Sequence, residues 1–218
     1  MTPTPITRFA PAERVSREVI REEREAVARL PLLVECLDAI PVAVVVLNAQ
    51  RQAIFSNQAL LDIAGGDDTR VIGRRPGEIL DCVRAFETEG GCGTTEFCRT
   101  CGAVRAIPAG LEGKKDVQEC RITRRSGEAL DLRVTATPFN HGRHASVIFA
   151  LQDISPEKRR QALEHIFFHD ILNVAGTVMG YAELLETPAF AMETSIVIDV
   201  INRASVRIID EIRNQQAL

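Results

Sequence analysis

The spacing of apolar and polar positions changes character three times along the chain. From Ala12 to Leu30 charges dominate, and Val15, Val19, Ala26, Val27 and Leu30 fall near helical spacing. That pattern predicts a helix over 12–31 with a thin apolar stripe, steadied by opposite charges four apart such as Arg14 and Glu18. A stripe this thin packs in a dimer or against a neighbouring domain, or else belongs to a solvated linker. Ahead of it, Met1 to Pro11 carry three prolines and few apolar groups and read as a disordered tail over 1–11.

At Pro41 the texture becomes β. Val42-Ala-Val-Val-Val-Leu47 is a buried-strand run, Asn48 to Arg51 is turn-like, and Gln52 to Phe55 is the partner strand. Asn57 to Ala64 predicts a short helix stopped by Gly65-Gly66. Gly73 to Leu80 reads as a loop followed by a helical turn. Asp116 to Arg124 and Leu130 to Thr137 flank Arg125-Ser126-Gly127-Glu128, a hairpin signal. In the later strand Leu130, Leu132, Val134 and Ala136 alternate with Asp131, Arg133, Thr135 and Thr137, giving one buried and one wet face. Ala145 to Asp153 makes the fifth strand of a domain over 32–154.

From Ser155 the period is helical to the end. Ser155 is the expected N-cap, with Pro156 at the first helical position. The run extends to about Glu186, where Thr187-Pro188 breaks it. A second helix starts near Thr194, with Ile196, Val197, Val200, Ile201, Ala204, Ile208 and Ile212 on one face. Two long helices with a short connection over 155–218 predict an antiparallel hairpin, and its wide apolar stripe predicts a four-helix bundle between two chains. The glycines Gly176 and Gly180 each cost a helix about 1 kcal/mol against Ala, which points to close helix approach there. The fold class is therefore α+β: a five-stranded antiparallel sheet with flanking helices, then a dimerising hairpin.

Composition narrows the function. The 218 residues carry 26 Lys and Arg against 30 Asp and Glu, a net charge of −4, with no Trp and one Tyr. This balance disfavours nucleic acid as a partner, since phosphate contacts need concentrated cations. No apolar run reaches the roughly 20 residues of a membrane-spanning helix, and the N-terminus lacks the apolar core of a secretion signal, so the expected compartment is the cytoplasm. Thiols stay reduced there, so the six cysteines point to metal binding, redox sensing or simple burial rather than structural disulfides.

Cys92, Cys98 and Cys101 lie within ten residues, the last two as C-x(2)-C, a spacing that lets two sulfurs reach one metal around a turn. Cys82 just upstream is a fourth candidate ligand, with Cys120 on the following strand as the alternative. Either tetrad suits zinc or an iron–sulfur cluster; a reversible dithiol switch is the metal-free form, and burial as small apolar residues is the plain reading. Cys36 falls in an apolar helix end and reads as core. His141 and His144 flank a turn and do not suit haem ligation, and no flavin-adduct cysteine motif surrounds Cys82.

Read in order, the elements from Leu32 to Ile154 resemble a PAS sensory domain. The resemblance is carried by Ile40-Pro41 before the first strand, Phe55-Ser56-Asn57 after the second, Ile72-Gly73-Arg74-Arg75-Pro76, and Gln152-Asp153-Ile154-Ser155 leading into the output helices. The hairpin resembles the dimerisation and phosphoacceptor region of sensor histidine kinases. Phe167-Phe168-His169-Asp170-Ile171-Leu172-Asn173 is similar to the H-box, and Met179-Gly180-Tyr181-Ala182-Glu183-Leu184-Leu185 to the segment after it. Val174 departs from the family, where Pro is common, which bears on the bend and not on the histidine.

This resemblance implies a homodimeric two-component kinase in which His169 takes the phosphoryl group of ATP. Asp170 holds the imidazole tautomer, and Asn173 orients a water when the phosphorylated partner is hydrolysed. His165, one turn earlier, has no acidic follower and is the weaker acceptor; together the two form an i, i+4 pair without a third zinc ligand. The implied partners are a response-regulator receiver domain and an ATPase domain, ATP being reached only through the latter, because no Gly-rich phosphate loop lies within the chain. Without that domain the chain is expected to be inactive alone. The rival is a non-catalytic PAS dimerisation or ligand-binding module with a structural metal site.

Overall fold

A computed structural model describes residues 7–141, 144–185 and 194–216 of the chain. Two compact units divide it, the first ending at Ser155 and the second running from Pro156. The first is built on an antiparallel sheet of β1 (Ala43–Leu47), β2 (Ala53–Ser56), β3 (Asp116–Thr123), β4 (Ala129–His141) and β5 (His144–Asp153), in the order β2-β1-β5-β4-β3. The inner strand β1 is buried at every position. Its apolar run is continuous because both faces of the sheet are covered.

Alternation along the strands divides those faces between two cores. Ala43, Val45 and Leu47 join Val134, Ala136, Val147, Phe149 and Leu151 in the larger core. This core packs under α3 (Gln58–Ala64), the single turn α4 (Pro76–Ile79) and α5 (Gly102–Leu111). The helix α5 lies very close to the sheet. A Cβ on Gly110 would stand 2.9 Å from a Val147 methyl, and one on Gly102 would run into the backbone carbonyl of Glu119. Asn57 caps α3 by accepting from the Leu60 N–H at 3.1 Å, while its amide donates to the carbonyls of Leu37, Ile40 and Val42. The predicted stop of that helix is present too, with Gly65 in the left-handed conformation at φ 92°.

Val44, Val46 and Ile54 face the other way, against α1 (Arg17–Ala28) and α2 (Pro31–Asp38). The charge-dense N-terminal stretch thus covers the face of its own sheet that the alternation in β4 suggested would be wet. Ile20 and Val27 supply the apolar contact, and the buried Glu23 accepts from the Asn48 amide at 2.8 Å. Arg14 turns away from Glu18 toward Glu78, 64 residues on. Cys36, expected in the core, is exposed, because Leu33 and Leu37 occupy the packed side of α2.

The expected tail is also placed differently. Residues 1–6 lie outside the described residues, but from Thr7 the chain follows a bent path against the cysteine loop, with the Thr7 hydroxyl donating to the Ala10 carbonyl at 2.6 Å. Arg8 and Ala10 donate their N–H groups to the carbonyls of Thr94 and Gly93 at 2.9 Å, and Ala10 and Ala12 are buried.

The second unit comprises α6, entered at Ser155 and running to Leu185, and α7 (Thr194–Gln216). The expected break at Thr187-Pro188 falls outside the described residues. Ser155 does not cap α6: its hydroxyl accepts from the Asp131 N–H at 2.9 Å, and Asp153 instead accepts from the Ser155 N–H at 2.8 Å. The helices meet where Ile171 and Val174 face Ile208, and Val197 is buried. Leu163, Ile166, Phe168, Leu172, Met179, Ile196 and Val206 remain exposed. Gly176 and Gly180 have open space where a Cβ would be, so no close approach among the described residues accounts for them. No described helix is long and apolar enough to cross a membrane.

Candidate functional site

Five of the six cysteines line one cavity of about 330 Å³ beneath α5, between β3, β4 and the loop over 82–101. Each arrives by a different local device. Cys82 bridges to Arg124 at the end of β3. Cys92 enters because Gly77 has no side chain: a Cβ there would be 2.8 Å from the Cys92 sulfur. Cys98 sits in a 3-10 turn with its sulfur 3.2 Å from the Thr95 hydroxyl, packed with Ala10 and Val104. Cys101 is the N-cap residue of α5, and Cys120 points inward from β3.

The sulfurs share this space without converging on a point. Among the described residues, no three His, Cys, Asp or Glu side chains gather closely enough to hold a metal ion. Neither the tetrad Cys82, Cys92, Cys98 and Cys101 nor its variant with Cys120 therefore fits a zinc or iron–sulfur site, which needs its thiolates on a common centre. Protonation separates them as well. Burial pushes the Cys92 thiol up to about 12 and raises that of Cys82. Cys101 moves the other way, lowered by a hydrogen bond from the Cys120 thiol and, against the cost of burial, by the N–H groups of Val104 and Ala103. Donating that bond, together with burial, raises Cys120. The result is one favoured thiolate beside a protonated donor.

A buried polar frame holds the loop around the cavity. Arg75, fully buried, donates to the carbonyls of Gln50 at 3.1 Å, Gly90 at 3.0 Å, Cys92 at 3.3 Å and Glu13 at 2.7 Å. Burial, with Arg51 and Arg14 nearby, lowers its guanidinium to about 10, still charged at neutral pH. Arg51 donates to the Cys92 carbonyl at 3.3 Å and to that of Pro11. It does so from a left-handed backbone at φ 65°, a conformation costly for a residue with a side chain. Glu78 pairs with Arg14 and accepts from the N–H groups of Arg75 at 3.1 Å and Cys92 at 3.2 Å. Burial works to raise that carboxyl, but the Arg14 hydrogen bond and the two N–H donors hold it below the usual range.

The predicted phosphoacceptor is arranged quite differently. His169 stands on α6 with 66% of its side chain exposed. Asp170 Oδ1 lies 3.3 Å from its Nδ1, and the Asn173 amide nitrogen is 3.2 Å from Nδ1 and 3.4 Å from Nε2. Protonated at Nδ1, the ring donates to Asp170 and leaves the Nε2 lone pair facing solvent; the opposite tautomer accepts from Asn173. The three side chains predicted from spacing are brought together. His165 is exposed one turn earlier.

A family model described as the PAS fold matches residues 37–159, more than half of the chain. The chain belongs to the PAS fold family. Among solved structures it is similar to a Rhodobacter sphaeroides LOV protein at 12% identity and TM-score 0.45, covering 88% of this chain and 98% of that one. It is also similar to the PAS domain of Bordetella pertussis BvgS at 17% identity and TM-score 0.43, covering 63% and 96%. A PAS domain from a two-component sensor histidine kinase matches at 9% identity and TM-score 0.40, covering 59% and 98%. Comparison with curated proteins finds no match.

Within the PAS domain, sequence reasoning reached the cavity cysteines but missed Arg14, Arg51, Arg75 and Glu78. One local signal was there to read. In Arg75-Pro76-Gly77-Glu78, proline opens α4 and Glu78 stands three residues after Arg75, the spacing that lets a carboxylate return to the N-cap N–H. The remaining partners come from chain segments 14 to 64 residues away, and no local pattern announces them.

Proposed function

We propose that this chain is the sensory and phosphoacceptor portion of a cytoplasmic, homodimeric two-component histidine kinase. The observation that carries the reading is the exposed imidazole of His169 on a long hairpin helix, with Asp170 and Asn173 both within reach of its ring. Nε2 attacks the γ-phosphorus of ATP held by a kinase ATPase domain, the bond to the bridging oxygen breaks, and ADP leaves. Asp170 keeps the Nδ1 proton and steadies the positive charge that develops on the ring. The receiver aspartate of a response regulator then attacks phosphorus, and the P–N bond breaks. Asn173 orients the water that attacks the phosphorylated receiver aspartate, where the P–O bond to the carboxylate breaks and inorganic phosphate leaves.

Regulation begins where α6 starts. Ile154 is buried and donates to the Asp131 carbonyl at 2.8 Å, and the Ser155 hydroxyl accepts from Asp131, so the first residue of α6 is tied to β4. A change at the cavity that shifts β3 and β4 reaches α6 through that joint and alters access to His169. The exposed apolar side chains of α6 and α7 supply the dimer face, worth about 1.5–3 kcal/mol for each one buried.

The test supplies a kinase ATPase domain and labelled ATP to the whole chain. The expected result is acid-labile phosphate on the chain that His169→Gln abolishes and His165→Gln does not. Label that survives His169→Gln, or no label with any ATPase domain of this kinase class, leaves the hairpin as an oligomerisation device and the PAS domain as a non-catalytic module.

A further inference from the structure

We propose that Cys101 and Cys120 are a peroxide-reactive thiol pair that closes into a reversible disulfide across the wall of the PAS cavity. Three observations place the pair. Cys101 and Cys120 line the same cavity, and each is near enough to shift the titration of the other. Gly102, next to Cys101, rests on the backbone carbonyl of Glu119, next to Cys120, so the two chain segments lie in direct contact with no side chain between them at that point. Cys101 also stands at the N-terminus of α5, where the N–H groups of Ala103 and Val104 point at its sulfur.

The other cavity thiols are differently engaged. Cys98 is hydrogen-bonded to Thr95 and packed under Ala10, and Cys92 is lodged against Gly77 with its proton firmly held. Cys101 has its thiolate favoured, and Cys120 is the neighbour that can resolve its oxidation.

The reaction balances with a hydroperoxide as oxidant. The Cys101 thiolate attacks one peroxide oxygen, the O–O bond breaks, and hydroxide leaves and takes a proton, giving a sulfenic acid. The Cys120 sulfur then attacks the Cys101 sulfur, the S–O bond breaks, and the oxygen departs as water with the Cys120 proton. Two thiols and one hydrogen peroxide give one disulfide and two waters. The bond ties the N-terminus of α5 to β3 and draws one wall of the cavity inward. The proposal rests on reading the PAS domain as the sensory part, but its test reads the bond itself, so it stands or falls separately from phosphotransfer.

The experiment treats the reduced whole chain with dilute hydrogen peroxide and maps tryptic peptides without reductant. Cleavage after Arg99, Arg105, Lys115 and Arg121 leaves Cys101 and Cys120 in separate peptides, Thr100–Arg105 and Asp116–Arg121, each with one cysteine. Those two peptides are expected as the dominant cross-linked species, forming at least about tenfold faster than any other disulfide and lost on adding dithiothreitol. In Cys120→Ser, dimedone is expected to trap a sulfenic acid on Cys101; in Cys101→Ser, Cys120 is expected to stay unlabelled. Circular dichroism verifies that each variant is folded, and the wild-type map decides alone where one is not. A dominant disulfide elsewhere, including one between the Cys36 residues of two chains, overturns the proposal, as does equal dimedone labelling of all the cavity thiols.

Discussion

The cysteine cavity and the His169 constellation are built on opposite principles. Around the cavity, Arg75 and Arg51 are buried, Glu78 is mostly so, and all three are bound to backbone groups distant in sequence. At His169, three exposed side chains meet because a helix brings residues four apart onto one face. The first arrangement exists only when the whole PAS domain is folded, whereas the second is as good as the helix that carries it. The former can shift only as a unit; the latter keeps its groups open to solvent whatever the rest of the chain does.

The largest effect is expected at Arg75. Arg75→Ala leaves the carbonyls of Glu13, Gln50 and Gly90 without their donor and opens a void, at a cost of about 3–5 kcal/mol. The urea midpoint of the whole chain measures it, and a loss under about 1 kcal/mol would erase the contrast between the two regions.

Glu78 comes next, and its effect depends on pH. Its carboxyl is held below the ordinary value of 4.5 in the folded chain, so its contribution is fully present above that value and is lost as pH falls through the lowered one. Glu78→Gln is expected to remove about 2 kcal/mol at neutral pH and to flatten the acid limb of the stability curve. Denaturant midpoints from pH 7 down to pH 3 would show both. The smallest effect on stability is expected at His169. His169→Gln should change the midpoint by less than about 0.5 kcal/mol while abolishing phosphorylation, which separates a site that carries chemistry from one that carries structure.

The same contrast explains what was legible in the sequence. Strand alternation in β4, the Asn57 cap, the Gly65 stop and the His169–Asp170–Asn173 grouping all depend on neighbours within a few residues, and all were readable. The run over 42–47 was readable as a strand, but its burial on both faces required a cover for the second face, and that cover is the charge-dense α1. There Ile20 and Val27 do the packing, and a lone buried Glu23 is hidden among its exposed acidic neighbours. Cysteine spacing correctly marked out one neighbourhood and wrongly suggested one centre. Spacing controls which sulfurs share a turn, while Gly77, Thr95 and the N-terminus of α5 decide where each sulfur points. Ser155 was misjudged as a cap because the backbone N–H of Asp131, on β4 two elements earlier in the chain, takes its hydroxyl as acceptor.

The pairing of Arg8 and Ala10 with Thr94 and Gly93 has a mechanical side. Anything fused ahead of Thr7, whether an upstream domain or a purification tag, pulls first on the very strand of loop that roofs the thiol chamber. Removing or anchoring that leader is thus a handle on the sensor from outside, one that leaves every cavity residue in place.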